Sequence, residues 1–294
     1  MRRRYAVVDV FSDRRLLGNP VAVVLDAEGL DTEEMQRIAR WTNLSETTFL
    51  LPPAAAGASY RLRIFTPVSE LPFAGHPTLG SAHAAVTEGL VARPGAALSL
   101  MQECGAGLVP VQVEAADRYR LRLPEARCTV LDAADRAALE AALGGPTDAA
   151  VPLQVIDVGP RWVVGALADP AALLALRPDM TRLAVFERAL GVTGCTLFAE
   201  ASGADADVAA DGDIEVRSFA PSDGVPEDPV CGSGNGAVAV LRRELGRIMP
   251  GAAYIARQGR CVGRDGRIEL SLDAAAAVWV GGACVTTVRG TLEA

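Results

Sequence analysis

The chain has 294 residues, half of them hydrophobic, with 36 acidic against 28 basic side chains and a net charge of −8. That length accommodates two domains of ordinary size, each with its own core, and the acidic balance argues against a charge-driven nucleic-acid surface. The longest apolar runs, such as 274–280, fall well short of a membrane span.

No lysine stands anywhere in the chain, so every basic residue is an arginine. This closes two chemistries: a pyridoxal phosphate Schiff base and a P-loop both need a lysine amine. Arg2, Arg3 and Arg4 imitate the head of a signal peptide, but Asp9 and the polar 12–15 stretch interrupt the apolar segment at once. A cytoplasmic protein is expected. The six cysteines (Cys104, Cys128, Cys195, Cys231, Cys261, Cys284) are scattered without a CxxC pair or ligand spacing, so reduced thiols are expected, with neither a disulfide framework nor a metal site.

From the start, AVVDVFSDRRLLGNPVAVV (6–24) reads as a hairpin turning at Gly18-Asn19-Pro20. Asp31 with Glu34 forms a capping box, and Met35, Ile38 and Ala39 then share one helical face. LSETTFLL (44–51) follows as a strand, then RIFTP (63–67), then a Gly-rich turn at AGHPTLG (74–80) that opens an apolar helix with Pro77 suited to its first position.

The same order returns roughly 150 residues later, the signature of an internal repeat. QVIDVGPRWVVGAL (154–167) is the second hairpin, VTGCTLFA (192–199) echoes 44–51, RSFAP (217–221) echoes RIFTP, and CGSGNG (231–236) opens a second apolar helix. The acid does not repeat: Gly194 stands opposite Glu46. Each half is expected to curl a mixed sheet around a helix, with an active site in the cleft between the halves. The expected domains are 1–118 plus the returning strand 282–294, and 119–281.

Three segments carry candidate chemistry. Glu46 precedes a β-branched and aromatic run that half-buries it, and a carboxyl raised toward neutrality both donates and accepts protons; the plainer alternative is a surface glutamate in a turn. His76 stands at a helix entrance, biased toward neutral beside free backbone donors; the alternative is a structural capping histidine, and His83 within the helix reads as packing. Asp228, Cys231, Gly232, Ser233 and Gly234 form a polar glycine turn whose free N–H groups suit a carboxylate. There Cys231, if exposed, is expected to have a depressed pKa. A tight turn without ligand is the alternative.

The ordered set VDVFSDRRLLGNPVAVV, NLSETTF, RIFTPVSELPFAGHPTLG and VRSFAPSDGVPEDPVCGSGNG resembles the PhzF-like family of phenazine-biosynthesis isomerases over nearly the whole chain. The resemblance implies an α/β (α+β) fold of two pseudo-symmetric diaminopimelate-epimerase-like domains, often a homodimer, working without a cofactor on a small-molecule carboxylate. By match it gives Glu46 the proton-shuttling role of the SET glutamate, His76, Asp228 and Ser233 the supporting roles, and Gly75 and Gly232 backbone contact with substrate. One departure stands out: the family usually writes EDPxTGSA, whereas here Cys231 replaces the threonine and Gly234-Asn235-Gly236 follows the serine. That segment is closer to the cysteine-based racemases of the same fold. It keeps an epimerase using Glu46 and Cys231 as an alternative, beside a non-catalytic carboxylate-binding protein.

Overall fold

A computed structural model describes residues 1–92, 98–114, 117–201 and 213–294. The chain forms two compact units, one of Met1–Arg122 with Gly281–Ala294, the other of Leu123–Val280. Residues 118–122 form a strand paired within the first unit, so the division falls after Arg122.

In the first unit, strands β1 (Arg2–Val10) and β2 (Asn19–Val24) form the expected antiparallel hairpin. Helix α1 (Thr32–Thr42) carries the capping box in full: Glu34 N donates to Asp31 Oδ1 at 2.8 Å, and Asp31 N to Glu34 Oε2 at 2.9 Å. Its buried face holds Met35, Ile38 and Ala39, packed with Phe49 and Phe65. Then follow β3 (Thr47–Leu51), β4 (Tyr60–Phe65), β5 (Glu70–Leu71), helix α2 (Gly75–Thr87), β6 (Leu98–Cys104), β7 (Gly107–Val113) and β8 (Arg118–Arg122).

Pairing runs β1–β2 antiparallel, β2–β3 parallel, β3–β4 antiparallel, β4–β6 parallel, then β6–β7–β8 antiparallel. The final strand of the chain (Val278–Glu293) pairs with both β8 and β1, so the sheet closes on itself. Every residue of α2 from His76 to Val86 is buried inside this ring. A helix enclosed on all sides must be small or apolar all round, which accounts for its run of Ala, Gly and Ser. Gly80 is required: a Cβ there would collide with Val21 Cγ1 and lie 2.9 Å from Val10 Cγ2, two β-branched side chains that cannot yield.

The second unit contains β9 (Arg127–Val130), α3 (Ala133–Leu143), β10 (Gln154–Asp157), β11 (Arg161–Ala166), α4 (Pro170–Ala175), α5 (Met180–Leu190), β12 (Gly194–Glu200), β13 (Ile214–Ala220), β14 (Val225–Asp228), α6 (Gly232–Glu244), β15 (Ala253–Gln258) and β16 (Gly266–Leu272). Its pairing repeats the first unit's senses: β10–β11 antiparallel, β11–β12 parallel, β12–β13 antiparallel, β13–β15 parallel, β15–β16 antiparallel. Helix α6 is buried as α2 is. On the other face, α3, α4 and α5 bury Leu139, Leu143, Leu173, Leu183 and Phe186 against Leu197 and Phe219 of the sheet. The fold is therefore α+β, a mixed sheet around a central helix in each unit. Among the described residues no helix is long and apolar enough to cross a membrane.

Candidate active site

The segment leading to Glu46 is shaped by the end of α1. Asn43 adopts the left-handed conformation (φ 54°) and its N–H closes the helix on the Ala39 carbonyl, a task that asparagine tolerates better than most residues. The chain then turns through Leu44 and Ser45 into β3. Ala22 N of β2 donates to the Glu46 carbonyl at 3.3 Å, so the Glu46 backbone is already held by the sheet. Its carboxyl is only 16 % exposed, and loss of water pushes its pKa up to about 7 against the opposing hydrogen bond from Ser45.

His76 enters from α2. Ala74, the residue before the helix, offers no side-chain cap, so Gly75 is the first helical residue, His76 the second and Pro77 the third. Pro77 thus sits two positions further in than expected, which its missing N–H permits because first-turn amides have no intrahelical acceptor. The two candidates come together: His76 Nε2 lies 3.3 Å from Glu46 Oε2. On the other side of the ring, His76 Nδ1 lies 3.5 Å from Nδ2 of Asn19, a side chain with no exposed surface. In the sequence Asn19 reads only as part of the turn at 18–20. His83, by contrast, is packing: its Nε2 meets Thr286 Oγ1 at 2.9 Å and its ring stands edge-on to Tyr119.

The second unit gathers the remaining candidates at the start of α6. Cys231 is the N-cap, its sulfur accepting from Gly234 N at 3.3 Å. The Gly234 amide is thereby committed within the turn. Ser233 Oγ accepts the Trp162 indole N–H at 3.0 Å and stands 3.7 Å from Cys231 Sγ. Gln258 braces the turn from below, accepting from Cys231 N (3.1 Å) and Asn235 Nδ2 (2.6 Å) and donating to the Asp228 carbonyl (2.9 Å). Asp228 Oδ1 accepts from Val230 N at 3.0 Å, and the residue is half-buried.

Here the structure corrects an expectation. Cys231 is 4 % exposed rather than open to solvent, and its thiol pKa is raised well above the ordinary value, not depressed. Burial is the main cause and the neighbouring Asp228 carboxylate adds to it, outweighing the Gly234 amide. Trp162 and Gln258 lie far from the turn in sequence and carried no signal there.

Residues 8–290 match the family model described as phenazine biosynthesis-like protein. The chain belongs to the PhzF family. It is 38 % identical over 269 residues to the trans-2,3-dihydro-3-hydroxyanthranilate isomerase of Pseudomonas aeruginosa, covering 90 % of this chain and 88 % of that one. It is also 38 % identical over 294 residues to antisense-enhancing sequence 1 of Schizosaccharomyces pombe, covering 96 % of each. The fold is similar to the crystal structure of a PhzF-family phenazine biosynthesis protein from Bacillus anthracis, with a TM-score of 0.87, 22 % identity and full coverage of both chains. This PhzF-family chain is an isomerase.

Within this isomerase the two units offer unequal chemistry at corresponding positions. Where β3 is preceded by Glu46, β12 begins with Gly194, and no side chain fits there. A Cβ would collide with the Phe219 carbonyl and lie 2.8 Å from the Trp162 ring. Only the first unit carries an acid at this place.

Proposed function

We propose that Glu46 is the proton carrier of the isomerase, acting on a small carboxylated, amino- or hydroxy-bearing ring such as trans-2,3-dihydro-3-hydroxyanthranilate, the compound named for its relatives. The observation that carries this reading is one carboxyl, mostly withdrawn from water, with a pKa of about 7 and a histidine nitrogen 3.3 Å away. A group half-ionised near neutral pH takes a proton from one carbon as carboxylate and returns it to another as acid, shifting the double bond with no net change in protons. His76 stands close enough to be its electrostatic neighbour, 3.3 Å away without an aligned hydrogen bond. The start of α2 at Gly75 carries no side-chain cap, and a helix N-terminus of this kind suits an anionic group. We assign the corresponding start of α6, with Gly232, Ser233 and Asp228, to substrate binding.

The alternative of two opposed bases, Glu46 and Cys231, is disfavoured by the thiol. It is buried, committed to capping α6, and held in its protonated form. Isomerisation by a single carrier is the reading these features support.

The test is Glu46→Gln, which keeps size and hydrogen bonding but removes the titrating proton. With trans-2,3-dihydro-3-hydroxyanthranilate in deuterated water, we expect wild type to shift the ultraviolet spectrum and redistribute hydrogen at two ring carbons, and the variant to lose about 10²–10⁴ in rate with an unchanged circular dichroism spectrum. A variant that turns over at the wild-type rate removes Glu46 from the chemistry.

A further inference from the structure

Asn19 is the first residue of β2, and its position is fixed from both sides. It pairs with Val10 across the hairpin and precedes Pro20, whose ring fixes the next φ. Gly18 before it packs against Asp9 and Val10 so closely that a Cβ would approach the Val10 carbonyl oxygen to 2.5 Å. This is an unusually rigid mount for an amide side chain with no exposed surface, and the amide nitrogen faces the imidazole of His76.

The chemistry of that contact has a direction. With the amide turned so that its nitrogen faces the ring, as here, Nδ1 is the acceptor and carries no proton. A neutral imidazole has one N–H, which must then be on Nε2, the atom 3.3 Å from Glu46 Oε2. We propose that Asn19 is a positioning residue that fixes His76 as the Nε2–H tautomer, so that the protonated nitrogen is the one beside Glu46 Oε2, close to it without an aligned hydrogen bond in this arrangement. The consequence for turnover rests on the reading of Glu46 as proton carrier; the tautomer itself does not.

Two variants test it. Asn19→Asp replaces the amide with a side chain that only accepts, and Asn19→Leu keeps the volume while removing all hydrogen bonding. Because the chain has just two histidines, a long-range proton–nitrogen spectrum of the free protein shows two rings, and His76→Gln identifies which is which. At a pH well above the ordinary imidazole value of about 6.5, we expect the wild-type His76 Nδ1 to be unprotonated and Nε2 protonated. In Asn19→Asp the proton should move to Nδ1, while the His83 signals stay in place and report an intact fold. In Asn19→Leu, kcat should fall by about 10-fold or more with KM little changed, as expected for a misdirected general acid–base partner. A wild-type His76 protonated on Nδ1, or an Asn19→Asp ring unchanged from wild type, overturns the proposal. Wild-type kcat in Asn19→Leu overturns the positioning role. If Glu46→Gln is active while the spectra follow expectation, the reading of Glu46 fails and the tautomer assignment stands.

Discussion

Ser81 Oγ on α2 donates a 2.8 Å hydrogen bond to Thr48 Oγ1 on β3, and Thr48 Oγ1 in turn donates to the Ala22 carbonyl of β2 at 3.2 Å. All three residues are fully buried. This chain ties the helix whose first turn carries His76 to the strand that follows Glu46, and so braces the two groups from behind. Such a link is both structural and functional, because a buried hydroxyl left without its partner costs about 1–3 kcal/mol.

Removing one end of that link should therefore be worse than removing both. We expect Ser81→Ala to lower unfolding stability by about 1–2 kcal/mol, since Thr48 retains its bond to Ala22, and Thr48→Val to cost more because it removes both side-chain bonds and leaves the buried Ser81 hydroxyl without its acceptor. In both variants kcat should fall more than KM rises, because a loosened Glu46–His76 pair affects proton transfer rather than binding. A double-mutant cycle by chemical denaturation, with steady-state kinetics on each member, checks this. Coupling energy near zero between the two positions would show that the bond is incidental.

Cys231 gives a second expectation, which separates a capping residue from a base. Serine is among the best N-cap residues and its oxygen can accept from Gly234 N as the sulfur does. We expect Cys231→Ser to fold with unchanged or slightly greater stability and to keep turnover within about 3-fold, well inside what loss of a general base costs. In wild type, a thiol reagent near neutral pH should label exposed Cys128 and Cys261 well before Cys231. Collapse of activity in the serine variant, with substrate epimerised rather than isomerised by wild type, would restore the two-base reading.

What could be read from the residues alone was whatever is decided within a few positions. The Asp31–Glu34 box, the turn at 18–20, the Gly-rich helix starts and the repeated order of elements are all local patterns, and each reappears in the structure with its hydrogen bonds. The withdrawal of the Glu46 carboxyl from water was legible for the same reason: a β-branched and aromatic run follows it, and the side chain is 16 % exposed. A depressed thiol pKa at Cys231 required exposure, and the thiol is instead buried, a state that packing decides and no local pattern reveals. In the sequence Asn19 reads as turn chemistry alone, because its contact is with His76, which lies 57 residues further along the chain. Closure of the first sheet by the last strand, the longest-range pairing in that unit, was legible all the same, because 282–294 lies beyond the repeat, and it returns to β1 and β8.

A third expectation concerns stability and pH, and it arises from Glu215 on β13, away from the residues discussed above. Its side chain has no exposed surface, and neither carboxyl oxygen has a hydrogen-bond donor among the described residues; the nearest cation is Arg260, with Nε 3.8 Å from Oε2. Burial pushes its pKa up to about 7, while Arg260 and Arg257 pull it down. A carboxyl whose folded pKa exceeds its unfolded one binds its proton more tightly when folded. Its contribution is therefore complete below the unfolded value of about 4.3 and is lost as pH rises through about 7. A shift of this size corresponds to about 3 kcal/mol. Buried Glu187, also raised to about 7, works in the same direction, so wild-type stability should decline across this window. Glu215→Gln stays neutral at every pH and removes one share of the decline. In urea unfolding we expect the variant to equal wild type at about pH 4 and to exceed it by about 1–3 kcal/mol at about pH 8. If the difference between the two proteins is the same at both pH values, Glu215 is ionised in the folded state, and Arg260 rather than a proton neutralises it.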